Sequence, residues 1–211
     1  VVNALRQAGQ PGGEGALDYA LRTMHEITQN PSARGLLETD DVDNIIYADI
    51  GNRDGNYDAA LMAMEAFVRG DTRSDSPQEF EKVADNIGNT VAYALRVAGS
   101  DPSDGALDYA LRTMHEVTQN PSARGLLETM DIDNIIFHDL NNGDNDLSAA
   151  QMALDAFVSG NTRSDRPSDF ETVANNIVEH VADAGNQPHV QDFAQQVDFY
   201  LSNYTDTSSL V

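Results

Sequence analysis

The chain has 211 residues and carries 35 acidic against 12 basic side chains, which gives a formal net charge of -23 at pH 7. A surface with this charge repels phosphate backbones and anionic lipid headgroups, because binding either of them requires clustered cationic side chains. Nucleic acids and membrane surfaces are therefore poor partners for this chain, whereas cations and concentrated salt solutions suit it.

Hydrophobic residues make up 40% of the sequence, which is enough for a packed core. The sequence has no cysteine, so it can form neither a disulfide nor a thiolate metal site. Its apolar runs are shorter than the roughly 18 residues needed to span a bilayer, and no membrane insertion is predicted. Lys82 is the only lysine. We expect a salt-adapted protein whose thermal stability rises as salt screens the repulsion among its carboxylates.

A long sequence repeat organises the chain. Residues 15–39 recur at 105–129 with a single difference, Ile27 in place of Val117. The same 90-residue offset aligns DNIIYADI with DNIIFHDL, MAMEAFVRGDTRSD with MALDAFVSGNTRSD, and FEKVADNI with FETVANNI. The first 180 residues are therefore predicted to be two tandem units, a pattern typical of repeat arrays.

Apolar residues recur at helical spacing through most of each unit, so the predicted fold class is all-α, with about five helices in each unit. The first helix ends at the Asn30-Pro31 breaker, Ser32 caps a short second helix, and an acidic turn of Asp40 and Asp41 begins the third. The apolar positions of these helices are Leu17, Ala20, Leu21, Met24 and Ile27, then Leu36 and Leu37, then Val42, Ile45 and Ile46.

The fourth helix follows a loop rich in Asp, Asn and Gly, and is predicted to be capped by Asp58 and ended by Gly70. The fifth begins with a capping box of Ser76 and Glu79 around Pro77. Its apolar face continues for about six turns, roughly 30 Å, so it is predicted to span the join between the units. The apolar positions are Ala59, Met62, Ala63, Ala66 and Phe67 in the fourth helix, and Phe80, Val83, Ala84, Ile87, Val91, Ala94, Leu95 and Ala98 in the fifth.

The residues after Pro188 predict one more helix, without a counterpart in either unit. We interpret it as a cap over the open end of the second unit, a device that keeps repeat arrays soluble. A helix of an ordinary core would carry the same pattern. Its apolar positions are Val190, Phe193, Ala194, Val197, Leu201 and Tyr204.

Four segments follow from these patterns. The opening residues VVNALRQAG align at the same offset with TVAYALRVAG at 90–99, so residues 1–9 are predicted to be the end of a preceding repeat-like helix. Residues 10–99 form the first unit, 100–186 the second, and 187–211 the capping helix with a polar tail. The chain is accordingly expected to be a piece of a longer protein.

A His-Glu pair within the repeat is similar to the HExxH zinc motif. Gln29 stands where that motif has its second histidine, and Gln119 does the same after His115. Adjacent helical residues also point about 100° apart, so His25 and Glu26 do not converge on one ion. We interpret this stripe as a solvated or unit-contacting face. The alternative is an enzyme or ligand-binding module with its site between the units around His25 and His115.

Two Asp/Asn/Gly loops lie between helices, as an EF-hand calcium loop does. The sequence can be matched to that loop in two ways. In one match, EF-hand positions one, three, five and twelve are occupied by Asp54, Asn56, Asp58 and Glu65 in the first loop. The same positions are occupied by Asp144, Asp146, Ser148 and Asp155 in the second loop. The apolar stripe from Ala59 opposes this match, because it places Glu65 about two turns, roughly 10 Å, from Asp58.

In the other match, residues 52–57 resemble the EF-hand and dockerin pattern N-x-D-G-x-hydrophobic. The resemblance implies weakly bound Ca²⁺. Position twelve is then Leu61 or Gln151 in place of glutamate, and Asn145 replaces the glycine. Asx-turns leading into a helix explain the same residues without an ion. The candidate metal ligands are Asp49, Asn52, Asp54, Asn56 and Asp58 in the first loop, and Asp139, Asn142, Asp144, Asp146 and Ser148 in the second.

The sequence contains no nucleophile elbow, phosphate-binding glycine loop or cysteine nucleophile. The predicted function is therefore that of a non-enzymatic tandem-repeat segment, a spacer or adhesion stalk of a larger secreted or cell-surface protein. The expected partners are neighbouring repeat units, divalent cations, and a protein or glycan surface.

Overall fold

The computed structural model describes residues 1–100, 105–164, 166–185 and 187–207. These residues form ten α-helices and no β-strand, which confirms the predicted all-α class. The predicted polar tail at 208–211 and the side chain of Tyr204 lie outside the described residues. The helices are Val2–Ala8 (α1), Glu14–Gln29 (α2), Thr39–Asn52 (α3), Asp58–Val68 (α4), Pro77–Ser100 (α5), Ala106–Gln119 (α6), Thr129–Asn141 (α7), Ser148–Val158 (α8), Pro167–Asp183 (α9) and Pro188–Thr207 (α10).

Helices α2 to α5 correspond to α6 to α9 at the 90-residue spacing. The predicted short second helix is absent from the described residues, where Pro31–Ala33 forms a single 3₁₀ turn. Its cap is Asn30, whose Oδ1 accepts a hydrogen bond from the Ser32 amide at 3.0 Å. Beyond this turn, residues 34–37 form a turn and a bend, and the Arg73 amide donates to the Leu37 carbonyl at 2.9 Å. Within the described residues, both copies of the sequence repeat thus contain four α-helices and a 3₁₀ turn.

The beginning of α4 also differs from the prediction. Asp58 is the first helical residue, Tyr57 occupies the N-cap position, and no side chain there forms a capping bond. A carboxylate from α3 supplies that bond instead, since Asp49 Oδ2 accepts from the Ala60 amide at 2.8 Å. Gly70 follows the helix with a φ of +71°, in the left-handed region that commonly ends helices.

Helix contacts recur along the chain in the same order. Helix α1 packs against α2 and α3, as α5 packs against α6 and α7. Helix α3 packs against α5 in the same way as α7 packs against α9. Helix α4 packs against α6. The buried residues form a continuous hydrophobic cluster that runs through both repeats. The start of the chain therefore packs as the last part of the long fifth helix does.

The last helix, which has no sequence counterpart at the 90-residue spacing, makes contacts like those of α6. Helix α10 packs against α8 and α9, which are the equivalents of the helices that α6 contacts. Residues 190–194 (VQDFA) can then be aligned with residues 106–110 (ALDYA), which pairs the buried Phe193 with the buried Tyr109. Periodicity alone does not select this alignment, and the shared helix contacts favour it.

Two glycines mark close contacts of the connecting helices. A Cβ atom at Gly99 would overlap the carbonyl of Asn142 at the end of α7, and a Cβ atom at Gly9 would overlap the carbonyl of Asn52 at the end of α3. Both contacts require the absence of a side chain. Among the described helices, none is long and apolar enough to cross a membrane.

Candidate functional site

The first Asp/Asn loop is a succession of Asx-turns. Asn52 Oδ1 accepts from the Asp54 amide at 2.9 Å, and Asp54 Oδ1 accepts from the Asn56 amide at 2.9 Å. Asn56 Oδ1 then accepts from the Asp58 amide at 3.0 Å. These bonds are the ion-free explanation that the sequence left open, and they use one oxygen of each side chain.

The second loop has the same turns, and the same backbone shape. Asn142, Asp144 and Asp146 accept from the amides of Asp144, Asp146 and Ser148 at 3.0, 2.8 and 2.9 Å. Asn145 has a φ of +64°, close to the +76° of the equivalent Gly55. Asparagine adopts this left-handed conformation more easily than most residues, so the missing glycine does not change the loop.

Each loop is closed by a buried aspartate from the preceding helix. Asp49 and Asp139 are almost inaccessible to solvent, and they accept from the Ala60 and Ala150 amides at 2.8 and 2.7 Å. These amides belong to the first turn of the next helix, which has no other backbone partner for them. Burial raises the pKa of each carboxyl to about 7, and the nearby loop carboxylates add to this effect.

The two loops differ in the use of one amide group. In the second loop, Asn142 Nδ2 donates to Asp139 Oδ1 at 3.3 Å and to Asp144 Oδ2 at 2.9 Å. In the first loop, Asn52 Nδ2 donates instead to the Leu5 carbonyl of α1 at 3.2 Å. The corresponding oxygens, Oδ1 of Asp49 and Oδ2 of Asp54, are consequently buried without a hydrogen-bond partner among the described residues.

The structure thus places the predicted ligands in two loops that have a similar backbone but differ in which side-chain oxygens accept hydrogen bonds. Two buried oxygens of the first loop accept no hydrogen bond from the described residues, whereas Asn142 donates to their equivalents in the second loop. Within the described residues, no group of three or more His, Asp or Glu side chains is arranged to hold a metal ion. Glu65, position twelve of the other match, lies within α4 and pairs with Arg69 at 2.8 Å.

The interface between the repeats is centred on Tyr109 of α6. Its side chain is fully buried, and its hydroxyl lies 3.1 Å from Thr90 Oγ1 on α5. Its ring centroid is 6.0 Å from that of Tyr57, which follows the first loop. Beside it, Arg112 approaches Glu65 of α4 at 3.8 Å. The first helix of one unit therefore packs on the loop and the last two helices of the unit before it.

A second part of this interface joins α5 to α7. A Cβ atom at Gly88 would overlap the carboxyl group of Asp131, so the two helices can approach only where this side chain is absent. Arg163 forms ion pairs with Asp85 of α5 and, at 2.9 Å, with Glu128. Burial raises the pKa of Asp131 to about 7.

A cleft lies on the same boundary, between α2, α4 and α6, and has a volume of about 480 Å³. His25 and Arg22 from α2 line it opposite Glu65 and Arg112. His115 lies outside this lining, exposed on α6. The structure therefore brings one of the two predicted histidines to the boundary and leaves the other away from it.

Sequence reasoning did not identify Tyr109, Gly88 or Gly99 as interface residues. A usable signal existed at one of them, because Gly88 is replaced by Val178 at the equivalent position of the second unit. Comparison with known proteins adds no relative: no family model, curated protein or solved structure matches this chain.

Proposed function

We propose that the chain is a non-enzymatic structural segment of a repeat array, in which successive units hold one another in a fixed arrangement. The observation that carries this proposal is the buried contact of Tyr109 with Thr90 and Tyr57, which joins one unit to the loop and helices of the one before. A flexible tether between independent domains would not need such a contact, since its units would be joined by an exposed linker.

The charge of the surface favours a place for this array outside the cell, as a spacer or adhesion stalk of a secreted or cell-surface protein. A net charge of -23 keeps neighbouring molecules apart and attracts cations, which suits a saline medium. The partners proposed are neighbouring repeat units, divalent cations, and a protein or glycan surface.

Spin-label distances test whether the units are held rigidly. Asn44 on α3 and Asn134 on α7 are exposed and occupy equivalent positions, and the absence of native cysteine allows both to be replaced by cysteine and labelled. We expect a single narrow distance distribution for Asn44→Cys with Asn134→Cys. Its width should match that of a pair within one unit, Asn44→Cys with Glu81→Cys. A broad distribution for the first pair alone would contradict the proposal.

Weak calcium binding at the first loop is a second candidate function. It is favoured by one observation, the two buried oxygens of Asp49 and Asp54 that accept no hydrogen bond from the described residues. Burying a carboxylate oxygen without a partner is costly, and a cation would relieve this cost. An ionised carboxylate accepts several bonds, so the Asx-turns leave capacity for an ion.

Calorimetric titration with millimolar CaCl₂ tests the calcium proposal. We expect heat and an increase in melting temperature for the wild type and for Asp144→Ala, and neither for Asp54→Ala. The two substitutions are matched because both residues make the same Asx-turn. Retention of the signal in both variants would indicate nonspecific binding and contradict the proposed site, and the absence of heat in the wild type would exclude it.

A further inference from the structure

One face of α2 is exposed although an almost identical face of α6 is buried. Tyr19 is 59% exposed, whereas its counterpart Tyr109 is fully buried. Leu36 is 68% exposed, whereas its counterpart Leu126 is 2% exposed. We call the exposed surface around Tyr19 and Leu36 the α2 face.

The difference does not come from the segment itself. Residues 15–39 and 105–129 have the same sequence except at one position, and both form a helix, a 3₁₀ turn and a bridge to the equivalent arginine. What differs is the neighbour. In the second copy, Tyr109 meets Thr90 and Tyr57 of the first unit, and the α2 face has no equivalent of these residues among the described ones.

The surroundings of the α2 face are already arranged for such a neighbour. Helix α1 contacts α2 and α3 as α5 contacts α6 and α7. Gly9 approaches Asn52 as Gly99 approaches Asn142. Helix α1 therefore makes the same contacts before α2 that the end of α5 makes before α6. The α2 face differs from the α6 face in having no counterpart of the Asp/Asn loop and of α4 packed on it among the described residues.

We infer that the α2 face binds a further unit of the same repeat, through that unit's Asp/Asn loop and its equivalents of α4 and α5. The inference rests on the proposed function and names the partner surface. At the existing junction the counterpart tyrosine is fully buried against Thr90 and Tyr57, so the same contact would remove the apolar surface of Tyr19 from water.

The occupant is a unit joined through α1 rather than a second copy of this chain. A second copy has no free surface of the required kind, since α6 covers the first unit's surface and α10 covers the second's. The last unit is also altered. Val178 replaces Gly88, and Phe193 replaces Tyr109. His180, in the place of Thr90, binds Asp133 at 2.8 Å instead.

An extended chain tests this inference. Residues 1–90 carrying Tyr19→Phe are added directly before Val1, so that the new junction reproduces the natural sequence step from Thr90 to a valine. The substitution in the added copy leaves the original Tyr19 as the one residue that gives the nitrated Tyr19 peptide. Tyrosine nitration followed by mass spectrometry then reports exposure. In the 211-residue chain we expect Tyr19 to be nitrated readily and Tyr109 slowly. In the extended chain, nitration of the original Tyr19 should slow by about tenfold or more, because a buried side chain reacts only when the structure opens.

The matched control is Gly88→Val in the added copy. The chain itself carries valine at the equivalent position 178 of its last unit, so this substitution is compatible with the fold of a unit but not with the close approach of the next one. It should restore rapid nitration of the original Tyr19. Nitration of Tyr19 at the same rate in the extended and 211-residue chains would overturn the inference.

Two further measurements separate the possible failures. If Tyr109 stays protected and the Asn44–Asn134 distance stays narrow while Tyr19 remains reactive, the docking inference is wrong and the proposed function stands. If the distance is broad as well, the proposed function is wrong. Sedimentation of the 211-residue chain tests whether a second copy binds the α2 face instead. If the chain dimerises at high concentration and Tyr19 becomes protected from nitration at the same time, the occupant is a second copy and the inference is wrong.

Discussion

Tyr109→Ala is expected to lower the free energy of unfolding by about 3–5 kcal/mol, the usual cost of truncating a fully buried aromatic side chain. Tyr19→Ala, in the same local sequence, is expected to change it by no more than about 0.5 kcal/mol, because Tyr19 is 59% exposed. At this chain length the first substitution should lower the melting temperature by roughly 10 °C. Calorimetry and denaturant titration of both variants measure the difference.

Tyr109→Phe serves as the control for the hydroxyl group. It removes only the bond to Thr90, and the last helix already carries Phe193 at the equivalent position. We expect a loss of about 1 kcal/mol, as for a typical hydrogen bond. Similar effects of Tyr109→Ala and Tyr19→Ala would show that the packing between the units contributes little to stability.

Asp49→Asn is expected to stabilise the protein at pH 8 in calcium-free buffer by up to a few kcal/mol. Burial raises the pKa of Asp49 from 3.8 to about 7, so the folded state holds an ionised carboxylate at pH 8 against its preference. Asparagine keeps the oxygen that accepts from the Ala60 amide, and it carries no charge. Thermal unfolding of the variant and the wild type between pH 5 and 8 measures the effect.

The sign of the pH dependence follows from proton binding. Between about pH 4 and 7 the folded state binds more protons at Asp49 than the unfolded state does, so the wild type loses stability as the pH rises through this range. The advantage of Asp49→Asn should therefore shrink as the pH falls and vanish only below about pH 4. Glu26→Gln removes one charge from the exposed surface and should not show this dependence. Equal stabilisation by Asp49→Asn at both ends of the range would contradict the assignment.

Much of the local structure was predictable from the sequence, since helices depend on spacing and on residues that begin and end them. The apolar stripes located the helices of both units, and the match of residues 1–9 to 90–99 anticipated the helix α1. The short second helix was predicted wrongly. Leu36 and Leu37 continue the apolar spacing, but they lie in a bend in which the Leu37 carbonyl accepts from the Arg73 amide, and that partner lies 36 residues away in the chain.

The candidate site shows the same division. The letters of the two loops were compatible with a calcium loop and with Asx-turns. Asx-turns depend only on residues two positions apart, and both loops contain them. The letters did not predict which loop retains unpartnered carboxylate oxygens. That depends on the amide of Asn52, which donates to α1, and on the amide of Asn142, which donates back into its own loop.

The sequence by itself determined the all-α class and the 90-residue period, because both are written in local spacing. Only the tertiary structure decided that Tyr109 is buried while Tyr19, in an almost identical segment, is exposed. The physical reason is that burial of a side chain requires a second surface in contact with it. A side chain is removed from water by whatever packs on it, and its own neighbours in the sequence are the same in both copies.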